Sequence, residues 1–232
     1  MQIFITFLII TLNIGSAWAS CINAIRSTER THSIPKDTLL AISIVESGRW
    51  DKKSKKYKPW PWTINVQGKP YFFDSKQEAV NFAKKQLKKG IKNMDIGCMQ
   101  INYRHHGHHF GNLYQMFDPL QNARYAAKLL RQHKNEPRAT WSKAVGNYHS
   151  KTVKHHNRYR AQYQKALAKV RGQQQEAVIR QAKGTAFSRQ QAKMYFAKAK
   201  KKATDTTFMP IKRNKGGIYN SRIPAWMRGA KS

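Results

Sequence analysis

Acidic residues are what this sequence has least of. Its 232 residues include 11 aspartates and glutamates against 44 lysines and arginines, a formal charge of +33. Such a surplus predicts a polyanionic neighbour: nucleic acid, anionic lipid or a cell-envelope polymer. Cysteine is almost as scarce. Cys21 and Cys98 are the only two, so one bridge is the economical pairing in an oxidising compartment, against a buried thiol at Cys98 and an exposed one at Cys21. Long apolar runs are confined to Ile3–Ile14, which is followed by the small-x-small pattern Ala17-Trp18-Ala19. This reads as a secretory signal peptide, residues 1–19, cut after Ala19, although its head carries no Lys or Arg. An uncleaved anchor would need ~20 apolar residues to span comfortably, and a lipoprotein cut before Cys21 conflicts with Trp18. Export to the periplasm or cell envelope in turn makes intracellular nucleic acid an improbable partner.

The chain beyond the leader is dominated by helical spacing. SIPKDTLLAISIVES predicts a helix beginning near Ser33 to Pro35, with Leu39, Ile42 and Glu46 on one face. The lysine-rich DKKSKKYKPWPW marks a loop, and Thr63–Val66 and Tyr71–Phe73 read as a short β-hairpin around Gln-Gly-Lys-Pro. Ser75-Lys-Gln-Glu78 is a capping box that opens a helix with Ala79, Phe82, Ala83 and Leu87 on one face and Gly90 past its end. Asp118-Pro119 opens another, with a stripe of Ala123, Ala126, Ala127 and Leu130. Further helices are expected over Trp141–Tyr148 and Asn157–Val170. No internal repeat is present. Residues 166–232 hold 16 lysines and arginines against Glu176 and Asp205, a net charge of +14. They read as a basic extension, helical or partly disordered.

Five glutamates are available for acid–base chemistry. Glu78 belongs to its capping box, Glu29 to the polar run STERTH, Glu136 to a loop before Pro137, and Glu176 to the extension. Only Glu46 combines an apolar helical face with a Ser-Gly that ends the helix. A carboxylate there loses hydration, which raises its pKa as a general acid requires. The alternative is an ordinary helix-end glutamate facing solvent.

Two further stretches accompany it: Gly97-Cys-Met-Gln-Ile-Asn102 after Asp95, and Ala144-Val-Gly-Asn-Tyr-His149. With Glu46-Ser47, and with Tyr159 later in the chain, they resemble the lytic transglycosylases of the soluble SLT, goose-lysozyme-like family (glycoside hydrolase family 23 type). The resemblance covers residues 21–165. Cys98 stands where that family has leucine, and His149 where it has asparagine. Asn122, after Asp118-Pro119, also resembles the family's penultimate helix.

The resemblance implies a mostly α (α+β) lysozyme-like catalytic domain, residues 20–165, with a small hairpin and a basic extension, residues 166–232. It implies cleavage of the MurNAc-β-1,4-GlcNAc bond of peptidoglycan glycan strands with 1,6-anhydro-MurNAc ends. Glu46 is the expected catalytic group. Ser47, Met99, Gln100, Asn102, Tyr148 and Tyr159 are the expected substrate-binding residues, and no cofactor is required. Trp60, Trp62 and Tyr71 are candidates for stacking on sugars or for lining the core. Two other readings compete: a hydrolytic muramidase with Asp95 as second carboxylate, and an inactive basic wall-binding adaptor. Many such enzymes open the wall for a secretion system, pilus, flagellum or phage, and the basic extension is a candidate contact for such a partner. His105-His106-Gly107-His108-His109 and His155-His156 raise a metal reading, but their spacing lacks a helical pair with a partnered carboxylate. No metal is expected.

Overall fold

In the computed structural model of the chain, residues 17–183 and Met194 are described. The apolar run at Ile3–Ile14 and nearly all of the extension past residue 183 lie outside them. Helix α1, Ala17–Thr31, starts within the Ala17-Trp18-Ala19 pattern, so the expected cleavage site falls in its first turn. Helix α2 spans Thr38–Ser47. It begins later than the sequence suggests, because Ser33 and Asp37 take positive φ values of 50° and 70° and fold residues 33–37 into a turn. Asp37 makes no side-chain cap. Glu29 of α1 takes that role from outside, accepting from the backbone N–H of Asp37 (3.1 Å) and of Leu40 (3.2 Å). These are donors that the first turn of a helix leaves unpaired. The polar surroundings of Glu29 in the sequence conceal a side chain that is only 3% exposed.

Past α2 the chain forms two small antiparallel sheets. Strands β1, Gly48–Asp51, and β2, Lys56–Pro59, pair with Gly48 opposite Pro59 and Asp51 opposite Lys56. The lysine-rich segment expected as a loop is thus a hairpin. It is pinned by buried Asp51, which accepts from Lys58 Nζ at 2.6 Å. Strands β3, Thr63–Val66, and β4, Lys69–Phe72, form the expected second hairpin. Its two-residue turn puts Gln67 and Gly68 at φ 51° and 90°, the primed geometry that matches strand twist. After α3, Lys76–Lys88, β5 (Met94–Ile96) and β6 (Ile101–Asn102) complete the order β4-β3-β5-β6. Ser75 accepts from Glu78 N–H at 3.2 Å, as its capping signature predicts.

The remaining elements are helical: α4 (Tyr103–His106) running into a 3-10 turn at Gly107–His109, α5 (Leu113–Met116), α6 (Pro119–Lys134), α7 (Trp141–His149) and α8 (Val153–Lys183). The predicted α6 stripe of Ala123, Ala126, Ala127 and Leu130 is fully buried. Helix α2 packs on α8 and on α1, and α6 on α1 and α7. Helix α8 starts four residues earlier than expected and runs straight through 165/166. Tyr159, Tyr163, Ala166, Leu167 and Val170 follow helical spacing into the core. The boundary drawn at 165/166 therefore falls inside a core-forming helix. No helix among the described residues is long and apolar enough to cross a membrane.

Candidate active site

Glu46 occupies the penultimate position of α2, half-buried, on the wall of a cleft of about 830 Å³. Two features fix the helix end there. A Cβ at Gly48 would lie 2.3 Å from the Ile44 carbonyl oxygen, so only glycine lets the chain leave the helix on this path. Ser47, 2% exposed, donates to the Cys98 carbonyl at 2.7 Å, with the Ser43 carbonyl at 3.1 Å. That bond fastens the end of α2 to the segment Gly97–Asn102.

The same segment is held from three more directions. Asn122, fully buried on α6, accepts from Met99 N–H at 2.8 Å and donates to the carbonyls of Ile96 and Met116 at 3.0 Å each. Gly97 has φ 81°, and a Cβ on it would come within 2.8 Å of that amide. Tyr148 of α7 donates to the Met99 carbonyl at 2.8 Å. Cys21 of α1 and Cys98 are joined by a disulfide with Cα atoms 6.1 Å apart. Gln100, at φ 49°, folds its side chain back to donate to the Gly97 carbonyl at 3.0 Å.

Over Glu46 lies Tyr159 of α8, whose hydroxyl donates to Glu46 Oε1 at 2.5 Å. The His149 ring stacks on Tyr159, with centroids 4.7 Å apart and planes 3° from parallel. Burial, and then the Glu46 charge, pushes the phenols of Tyr148 and Tyr159 well above their ordinary value. Both therefore stay protonated donors. Asp95 faces the cleft from β5 and accepts from Asn102 Nδ2 at 2.8 Å, while Asn102 Oδ1 caps α4 by accepting from His105 N–H at 3.2 Å.

Of the residues named from sequence, Glu46, Gln100, Asn102, Tyr148 and Tyr159 line one cleft. Ser47 and Met99 do not present side chains to it. Met99 is 0% exposed, so both stand in the frame that holds the cleft wall. Trp60 and Trp62 pack edge-to-face, with Trp60 donating to the Phe73 carbonyl at 2.7 Å, and Tyr71 packs on Phe82. Beside Tyr148 and Tyr159, the aromatic rings on the cleft are Trp50, Tyr57 and Phe72. Two of these, Trp50 and Tyr57, belong to the hairpin that the sequence hid. His105 and His106 border the cleft, and burial followed by its histidine neighbours lowers the pKa of His106. Among the described residues no group of three or more His, Cys, Asp or Glu side chains is placed to hold a metal ion.

A helix-borne glutamate in a long cleft of amides and aromatics, on a mostly α body with small sheets, defines a lysozyme-like protein. Comparison with protein families matches residues 23–170 to the Transglycosylase SLT domain, and the chain belongs to that family. Its members are lytic transglycosylases acting on peptidoglycan. No curated protein and no solved structure gives a significant match.

Proposed function

We propose that this protein cleaves the MurNAc-β-1,4-GlcNAc bond of peptidoglycan with Glu46 as its acid and base, leaving 1,6-anhydro-MurNAc ends. The observation that carries the reading is the hydrogen bond from Tyr159 to Glu46 Oε1, at 2.5 Å. It fixes one oxygen of a carboxyl that stands on the cleft wall. Glu46 gives its proton to the glycosidic oxygen as positive charge develops at C1, and the GlcNAc-side product leaves. The carboxylate then takes the proton of the muramic C6 hydroxyl, whose oxygen attacks C1. The nucleophile belongs to the same sugar, so proximity replaces the water that a two-carboxylate hydrolase must position. Gln100 and Asn102 orient sugar substituents, and Tyr148 and the buried Ser47 and Met99 keep that wall in register.

The setting that goes with this chemistry is the cell envelope, reached by export. A secretion, pilus or flagellar assembly contacted through the basic extension is the fitting partner. The test is mass spectrometry of muropeptides released from purified sacculi. Anhydro ends that resist borohydride are expected. Reducible muramic ends would instead favour the hydrolase, with Asp95 as the second carboxylate.

A further inference from the structure

The β1–β2 hairpin has two sides. Trp50 and Tyr57, whose rings meet at 5.0 Å, wall the catalytic cleft on one side and a second groove of about 650 Å³ on the other. The second groove runs between the hairpin and α8. Its floor is apolar, from Ile44 and Val170, and its rim is cationic, from Lys55, Lys56 and Lys169. Gln173 is the only amide side chain in it, whereas the catalytic cleft is lined by Asn65, Asn93, Gln100, Asn102 and Gln162. Three of the eight residues lining the second groove are lysines and one is an amide, so this lining favours carboxylates over the neutral hydroxyls and acetamides of a glycan strand. It suits an apolar side chain flanked by carboxylates.

The chain cannot supply such an occupant itself. Beyond residue 183 its only acid is Asp205, and nowhere in the sequence do two acids lie closer than four residues apart, at Asp74 and Glu78. A second copy is as basic as the first, and repulsion between two chains of +33 opposes their meeting at this rim. Trp50 is 47% exposed on the groove's edge, a large apolar surface next to concentrated positive charge. We propose that this groove is a docking site for a segment of a partner protein in which apolar residues alternate with aspartates or glutamates. The apolar side chain would seat on Ile44, Val170 and Trp50, and its carboxylates would meet Lys55, Lys56 and Lys169, an apolar anchor with charge-selected flanks. The proposal does not depend on the catalytic reading, since none of its readouts is turnover.

The experiment uses the full chain and two fluorescein-labelled peptides of equal length and charge. One is glutamate interrupted by leucines, and the other is glutamate interrupted by serines. At physiological salt, exposed charge alone is screened within ~8 Å. The leucine peptide should therefore bind roughly tenfold more tightly. Lys55→Glu with Lys56→Glu should abolish that difference. Lys84→Glu with Lys85→Glu, an equal charge change on exposed positions of α3, should leave it in place. A photo-crosslinker on the leucine peptide should label residues 44–57 and 169–173. Equal binding of the two peptides, equal loss in both lysine pairs, or labelling elsewhere would each overturn the proposal. So would displacement of the leucine peptide by muropeptide fragments, which would make the groove part of the wall-binding surface.

Discussion

Helix α2 has a glutamate at each end, and the two are used in opposite ways. At the N-terminal end Glu29, reaching over from α1, is sealed in: both its oxygens accept backbone N–H groups of the helix. At the C-terminal end Glu46 is half-buried, shares one oxygen with the Tyr159 hydroxyl and lies on the wall of a large cleft. Burial pushes the Glu29 carboxyl up to about 6, outweighing the backbone donors that favour its charge. A perturbed carboxyl is therefore not by itself a catalytic one. Glu29 has no path to a substrate and its partners are the helix it caps. What separates the two carboxyls here is access.

The largest expected effect separates the two residues outright. Glu46→Gln should lower peptidoglycan cleavage by on the order of 10²–10⁴-fold, the usual range for a positioned proton donor. Its circular dichroism and melting should match the parent protein. Glu29→Gln should do the reverse, retaining turnover per folded molecule while melting earlier. A zymogram with matched melting curves reads both. Near-normal activity in Glu46→Gln would remove it from the catalytic position.

The next effect concerns how firmly each end is held. Glu29→Ala leaves two helix N–H groups without their acceptor in a buried place, a loss of about 2–4 kcal/mol by denaturant unfolding. At the other end Cys21–Cys98 closes a loop of sequence separation 77 and ties α1 to the segment that anchors Ser47. Cys21→Ser with Cys98→Ser should cost ~2–4 kcal/mol as well. The two losses should add, because they act on opposite ends of α2 with no shared partner. Strong non-additivity would show that α1 clamps both ends as one unit.

The Glu46 end of α2 was far more legible than the capped end, for a physical reason. Glu46-Ser47-Gly48, Gly97–Asn102 and Ala144–Tyr148 are each contiguous, so their spacing carries the signal. The second hairpin and the start of α3 were legible too, because Gln67-Gly68 and Ser75–Glu78 set their geometry through neighbours in sequence. Glu29 gave no such signal. Its burial depends on the N-terminus of α2 coming to rest against α1, a tertiary event that nothing in STERTH announces. The β1–β2 hairpin was hidden in the same way. Its strands are polar, its pairing rests on Asp51 meeting Lys58, and that register is what turns Trp50 and Tyr57 toward the cleft. Helix α8 read as a loss of apolar stripe because none of residues 171–177 is buried.

The smallest expected effect is a pH dependence confined to the capped end. Glu29 has a folded pKa of about 6 against an ordinary 4.5, so the folded state holds a proton that the unfolded chain has released. Its contribution to stability is therefore complete below pH 4.5 and is lost as pH rises through 6. A shift of this size corresponds to about 2 kcal/mol across that interval. Other groups titrate around it with the opposite sign. Asp51 and Glu136, held down to about 2 by Lys58 and His133 respectively, lose their contributions as pH falls from 3.8 for Asp51, and from 4.5 for Glu136, toward 2. His106, His109 and His156, each lowered first by burial, lose theirs as pH falls through the range below 6.5. The raw stability curve mixes all of these, so the measurement is the difference between the parent protein and Glu29→Gln, whose amide does not titrate. That difference should favour the parent most at pH 4.5 and shrink steadily toward pH 6 and above. A flat difference would mean that Glu29 keeps its charge in the folded state, held by the N–H groups of Asp37 and Leu40. The two ends of α2 would then differ in access alone.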